Sequence, residues 1–227
     1  MHLTLALLAV AASGCSVSGR VEAEIEAALP AALGPADNYE ATVEGVRLGD
    51  STAERIDVRG DRVAREDTPV VDRLDATLWG VTFDRGNRRL SRVDSARATA
   101  RLLPADLADY LAAERGLVEP RVTLSPPDRV SLRFRGEFEG IRLPGAEIAG
   151  RLRAQDGGVR MEVESVRAAG IGLGGAVARR VESRINPVLD LTDEALALTV
   201  DDVRVANGAL VVRASADPTG LRLTRSW

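Results

Sequence analysis

The chain has 227 residues and a formal net charge of −4; 45% of its residues are hydrophobic, 28% charged and only 3% aromatic. That hydrophobic share supplies a globular core, and the scarcity of aromatics makes it an aliphatic one. Every basic residue is Arg, His2 and Cys15 are the only histidine and cysteine, and so the chain beyond its first residues has no Walker or Schiff-base lysine, no Ser–His–Asp triad, no cysteine nucleophile and no His- or Cys-ligated zinc.

Residues 3–12 are an apolar run, too short to span a bilayer, followed by Ala12-Ser13-Gly14-Cys15. The segment resembles a bacterial lipoprotein signal peptide, which implies that Cys15 becomes an acylated N-terminus. It departs from that pattern at Ala12, where Leu is usual, and in having no Arg or Lys before the apolar run. Ordinary signal-peptidase cleavage, or an uncleaved anchor with Cys15 incidental, is the alternative. No second cysteine is present for a disulfide. The expectation is an exported protein tethered to the cell membrane or envelope, with residues 1–15 as leader and 16–227 as one domain.

Residues 19–33 read as an amphipathic helix, with Val21, Ile25, Ala28 and Leu29 on one face, and Pro30 should kink or end it. The period then changes to two. Tyr39, Ala41 and Val43 alternate with Glu40, Thr42 and Glu44, and Ile56 and Val58 with Asp57 and Arg59. A long hairpin follows over 70–83 and 90–103, around Asp84-Arg85-Gly86-Asn87. Residues 104–115 predict a helix, with Pro104 at its first position, Asp106 in its first turn and a stripe of Leu107, Tyr110 and Leu111.

The second half repeats the plan without a sequence repeat. Strands are expected over 119–125 and 129–136, joined by Ser125-Pro126-Pro127-Asp128. A hairpin is expected over 141–154 and 159–168, then a helix near 174–185 that stops at Asn186-Pro187. A last hairpin, 196–206 and 209–216, turns on Asn207-Gly208, the strongest short hairpin signal. The fold class is α+β, with long, curved antiparallel strands. In 74–83, Leu74, Ala76 and Leu78 should face one way and Trp79, Val81 and Phe83 the other, so the second face needs a sheet, a partner or a ligand, or else it joins a plain packed core.

Gly170-Ile171-Gly172-Leu173-Gly174-Gly175 fits G-x-G-x-x-G, with Asp190 downstream. The preceding strand alternates Arg160, Glu162 and Glu164 with apolar residues, unlike a central parallel strand, and Pro187 precedes Asp190. The glycines read instead as a loop that lets the last helix pack closely on the sheet, and no cofactor is expected. Asp193-Glu194 and Asp201-Asp202 lack the spacing of a metal loop and read as a helix start and an exposed strand edge; no metal is expected. Negative net charge and few aromatics argue against nucleic acid.

The stretch from about 39 to 216 resembles the LmeA-like phospholipid-binding family. The likeness lies in the helix ending near Leu33-Gly34, the strand Ala41-Thr42-Val43-Glu44-Gly45, and Ile56-Asp57-Val58-Arg59-Gly60. It continues in Leu78-Trp79-Gly80-Val81 with Ala96-Arg97-Ala98, and in Ile185-Asn186-Pro187-Val188-Leu189-Asp190-Leu191 leading to the Val203–Gly208–Leu210 hairpin. The resemblance implies a relative of tubular lipid-binding (TULIP, BPI-like) domains, in which a curved sheet wraps helices around an apolar tunnel. It implies an envelope protein that binds phospholipid, as in mycobacterial lipomannan elongation, with no catalytic residue. On that basis the expected tunnel lining is Leu78, Trp79, Val81, Phe83, Leu107, Tyr110, Leu111, Phe134, Ile141, Ile148, Ile171 and Leu173. Arg88-Arg89 and Arg179-Arg180 are candidates for the head group, or else plain solvated charge. The expected function is non-catalytic phospholipid binding or transfer; the alternative is a structural envelope lipoprotein that acts through protein contacts and has no ligand cavity.

Overall fold

A computed structural model describes residues 17–47, 51–84, 89–115, 117–138, 141–189 and 198–216. Three helices run among them, α1 (Val17–Leu33), α2 (Pro104–Arg115) and α3 (Gly175–Ile185). The strands of the first half are β1 (Asn38–Glu44), β2 (Thr52–Val63), β3 (Val71–Asp84), β4 (Arg89–Arg92) and β5 (Ser95–Leu102). Those of the second are β6 (Val118–Ser125), β7 (Arg129–Phe138), β8 (Ile141–Gln155), β9 (Gly158–Ala168), β10 (Ile171–Gly172), β11 (Thr199–Ala206) and β12 (Ala209–Ala216). The α+β class is as the alternation requires, but the strands form two open antiparallel sheets where one was expected. The first is seven-stranded, in the order β1-β2-β3-β5-β12-β11 with β4 beside β3; the second is five-stranded, β10-β9-β8-β7-β6.

Local chemistry sets the hairpins. Asn207 and Gly208 both have positive φ, 50° and 71°, as a type I′ turn needs, and Asp156 and Gly157 repeat this at 53° and 78° between β8 and β9. The sheets meet where β11, the end strand of the first, meets the turns of the second. Val200 N–H donates to Gly157 O (3.3 Å) and Val205 N–H to Pro127 O (2.6 Å). The opposite end of the second sheet, around Val118, the Phe138–Ile141 pair and the β9–β10 turn, therefore lies away from the first.

Each sheet carries a helix along an open strand edge, and the two arrangements share a pattern of two side-chain acceptors, with one further bond on α3. On α1, Glu26 Oε1 accepts the Ala41 N–H (2.8 Å) and Glu22 Oε1 the Val43 N–H (3.0 Å). Near the end of α3, Asn186 Oδ1 accepts the Met161 N–H (2.7 Å), Asn186 Nδ2 donates to Met161 O (2.9 Å), and Glu182 Oε2 accepts the Val163 N–H (3.0 Å). In both, polar groups four positions apart serve N–H groups two positions apart on the strand. Helical and extended spacing make these reaches commensurate, and an edge that could pair with another chain is covered.

Two aliphatic cores result. Val21, Ile25 and Leu29 of α1 meet Val43, Ile56, Val58, Leu78 and Val81 on the first sheet. Leu107 of α2, with Val181 and Ile185 of α3, meets Leu132, Phe134, Ile148, Met161, Leu210 and Val212. The α1 helix contains Pro30 and ends at Leu33, as the range 19–33 gave it, because a missing N–H so near the end costs little of the remaining ladder. Two expectations are corrected here. Ala28 is exposed, off the apolar stripe. Leu78, Val81 and Phe83 all pack in the α1 core rather than on opposite faces. Gly80, at φ +59°, resets the alternation of β3, and the burial alternation of β2 changes beside it while the register of the pair stays unbroken, with Ala53 and Ile56 both buried. The second apolar face expected of β3 is not formed.

Candidate functional site

Under α2 lies a cavity of about 30 Å³. Leu107, Tyr110 and Leu111 of α2 form its roof, and Val122 (β6), Val130 and Leu132 (β7), Leu152 (β8) and Met161 (β9) its floor. Ile185, Val188 and Leu210 close it. The alternation of β6 to β9 delivers one face of four neighbouring strands to this place, and the 3.6-residue period of α2 supplies the other wall. The lining holds no charge, and the Tyr110 phenol is its one polar group. Its volume is that of one or two waters, and a cavity with such walls stays dry. It offers no acid–base chemistry. It can accept apolar groups, provided that α2 moves.

Helix α2 is fixed at one end. Asp106 in its first turn is 6% exposed, and both its oxygens accept from Arg62 at the end of β2, at 2.7 Å each. The bond to Asp106 raises the Arg62 pKa above its ordinary value. Asp72 extends the cluster, accepting from Arg101 (2.5 Å) and lying 3.8 Å from Arg62. On the far side, Arg153 pairs with the Asp128 carboxylate (2.8 Å) and Leu152 N–H donates to Asp128 O (2.8 Å), which fixes one floor strand to the β6–β7 turn.

The expected tunnel residues fall into separate places. Leu107, Tyr110 and Leu111 line the cavity; Phe134 and Ile148 are buried in the same core, with Leu173 at its margin. Leu78, Val81 and Phe83 belong to the α1 core and do not reach it. Ile171 is 70% exposed. The Ile141 side chain lies outside the described residues, as do Cys15, Arg88 with the Arg89 side chain, Asp190 and Asp193-Glu194. The sequence reading missed Val122, Val130, Leu132, Leu152, Met161, Ile185, Val188 and Leu210 as lining residues. The alternation of Val130, Leu132 and Phe134 was the signal for the β7 members.

Trp79 stands at a second, open depression of about 610 Å³ with Ser95, Ala96, Arg97, Thr199, Asp201, Ser215 and Ala216. The Arg97 guanidinium carbon lies 5.7 Å from the Trp79 ring centroid, a cation–π distance. Polar walls and openness to water make this groove a poor place for an acyl chain. Asp201 lies exposed on end strand β11, as expected of a strand edge.

The glycine-rich segment is no nucleotide loop, since β9 before it is antiparallel and turns at Ala169-Gly170 into β10. Nor do its glycines permit close helix packing. A β-carbon at Gly170, Gly172 or Gly174 would meet no atom within 4 Å. Among the described residues no cluster of three or more His, Cys, Asp or Glu is arranged to hold a metal, and no helix is long and apolar enough to cross a membrane.

The family model described as LmeA-like phospholipid-binding matches residues 17–215. No curated protein matches the chain, and no solved structure does.

Proposed function

The chain belongs to the LmeA-like phospholipid-binding family, and we propose that it holds a phospholipid with its acyl chains in the core beneath α2. The observation that carries this is the uncharged cavity between α2 and the second sheet. Each methylene taken up there is worth about 0.8 kcal/mol, so roughly ten give about 8 kcal/mol before ordering costs. Such walls select weakly among chain types. At about 30 Å³ the cavity is a closed state. Loading requires α2 to swing from the end that Arg62 does not hold, and the core between the two sheets then widens into a tubular site.

The protein is read as a non-catalytic binder, and binding with transfer to another membrane is part of the same proposal. Its place is the cell envelope, with Cys15 as a lipid anchor, on the strength of residues 3–15 alone. A structural lipoprotein without a ligand is favoured by the small volume and is the outcome if loading fails.

Photo-crosslinking of a phospholipid with a diazirine in its acyl chain tests the site. Labelled peptides are expected to contain Leu107–Leu111 and Val122–Leu132. Labelling confined to the Trp79 groove, or to the α1 core, would overturn it.

A further inference from the structure

Only two large apolar side chains among the described residues are well exposed, Ile171 at 70% and Val118 at 52%. Both lie at the end of the second sheet away from the first. Val118 pairs with Arg135 on β7, Phe134 with Ala146 on β8, and Ala146 with Ala168 just before the turn to Ile171. Residues 168–178 carry no charge, in a chain that is 28% charged. Within this span Ala169 to Gly172 and Gly174 to Ala176 are exposed, and side chains at Gly170, Gly172 and Gly174 would point into open space. A glycine run that neither packs nor binds a phosphate is a low, smooth apolar tip.

Arginines flank it. Arg167 and Arg179 are exposed and neither forms an ion pair among the described residues, although most exposed arginines of this sheet do. Glu147 faces Arg167 across the ladder but pairs with Arg133 instead (3.5 Å). Arg179 turns back over the tip, with Nη1 3.6 Å from where a β-carbon on Gly175 would stand.

We propose that the β9–β10 turn, with Ile171 at its apex and Arg167 and Arg179 beside it, docks the protein on an anionic phospholipid surface. The apolar apex enters the acyl boundary and the guanidinium groups meet lipid phosphates, whose bidentate geometry suits arginine. A protein surface of acidic character would want carboxylate partners around charged side chains, whereas eleven successive uncharged positions (residues 168–178) want hydrocarbon. The inference stands apart from any lipid held inside the molecule.

The test places Gly172→Trp in the full chain, and Ile171→Trp as a second probe, since neither site has neighbours to displace. Spectra of the parent, with its own tryptophans, are subtracted. With phosphatidylglycerol vesicles the added indole should shift to shorter wavelength and be quenched by brominated acyl chains. Arg167→Glu and Arg179→Glu should each weaken that response about five-fold or more at low salt, and added salt should weaken it too. An added indole that emits as in water while the protein is vesicle-bound through its N-terminal segment would overturn the proposal. So would an equal response to phosphatidylcholine vesicles. A lipid-loaded protein whose tip stays in water refutes this inference alone; a tip that inserts in a protein that never holds lipid refutes only the function proposed above.

Discussion

Arg62 and Asp106, 44 residues apart in the chain, are joined by two hydrogen bonds of 2.7 Å that fasten the first turn of α2 to the end of strand β2. This clamp fixes one end of the helix that roofs the apolar cavity. Removing Arg62 strands a buried carboxylate, so Arg62→Ala should cost about 2 kcal/mol in urea unfolding. Arg62→Lys should recover little of it, because an ammonium cannot serve both oxygens in this fork. If α2 is the moving wall, Arg62→Ala should also load phospholipid faster than the parent. Unchanged loading with lost stability would place the moving element elsewhere.

Both helix-to-edge arrangements should contribute to stability, the one at Asn186 more. Asn186→Ala leaves the N–H and C=O of Met161 unmet and Glu26→Ala leaves the N–H of Ala41 unmet. Each should cost about 1–2 kcal/mol, the asparagine more. Both variants should also scatter light more on storage, since an opened strand edge recruits other chains. Chemical denaturation with static light scattering checks both.

Glycines of this chain separate into two kinds. Gly80 has φ +59°, and an added β-carbon would run into the Asp94 carboxylate. Gly80→Ala should therefore lose at least about 1–2 kcal/mol. Gly172→Ala should stay within about 0.5 kcal/mol of the parent. A pair of thermal melts decides it.

Alkaline pH should weaken the fold through Tyr39. Burial raises the Tyr39 pKa, and its hydroxyl donates to Gly34 O at 2.8 Å. The folded chain therefore keeps this proton where the unfolded chain releases it. Stability is fully present below the unfolded value near 10 and falls as pH rises from there through the folded value. No lysine titration overlaps this window. Tyr39→Phe should flatten the fall; an unchanged slope would assign it to another group.

Much of the architecture was legible because two periods are. The hairpin at Asn207-Gly208, the helix from Pro104 to Arg115 and the alternating strands rest on local chemistry that survives folding unchanged. The face assignment in β3 failed at Gly80, since a residue that permits positive φ does not announce when it uses it. Splitting into two sheets was illegible because it depends on which edges α1 and α3 cover, through Glu22, Glu26, Glu182 and Asn186; in a sequence the glutamates look like solvated charge and the asparagine like a plain helix stop. Leu107, Tyr110 and Leu111 were readable as a helical stripe. The cavity floor was not, since it draws one or two residues from each of four strands.

Native mass spectrometry of the protein purified from bacteria, with lipid extraction of the same sample, tests the central claim most directly. The account predicts one phospholipid per chain that survives gel filtration. It also predicts that Val122→Trp, whose added bulk exceeds the cavity of about 30 Å³ and blocks its floor, loses the lipid while remaining folded, at a cost of about 1–3 kcal/mol in a thermal melt. A clean apo mass, still clean after incubation with phospholipid vesicles, would contradict it.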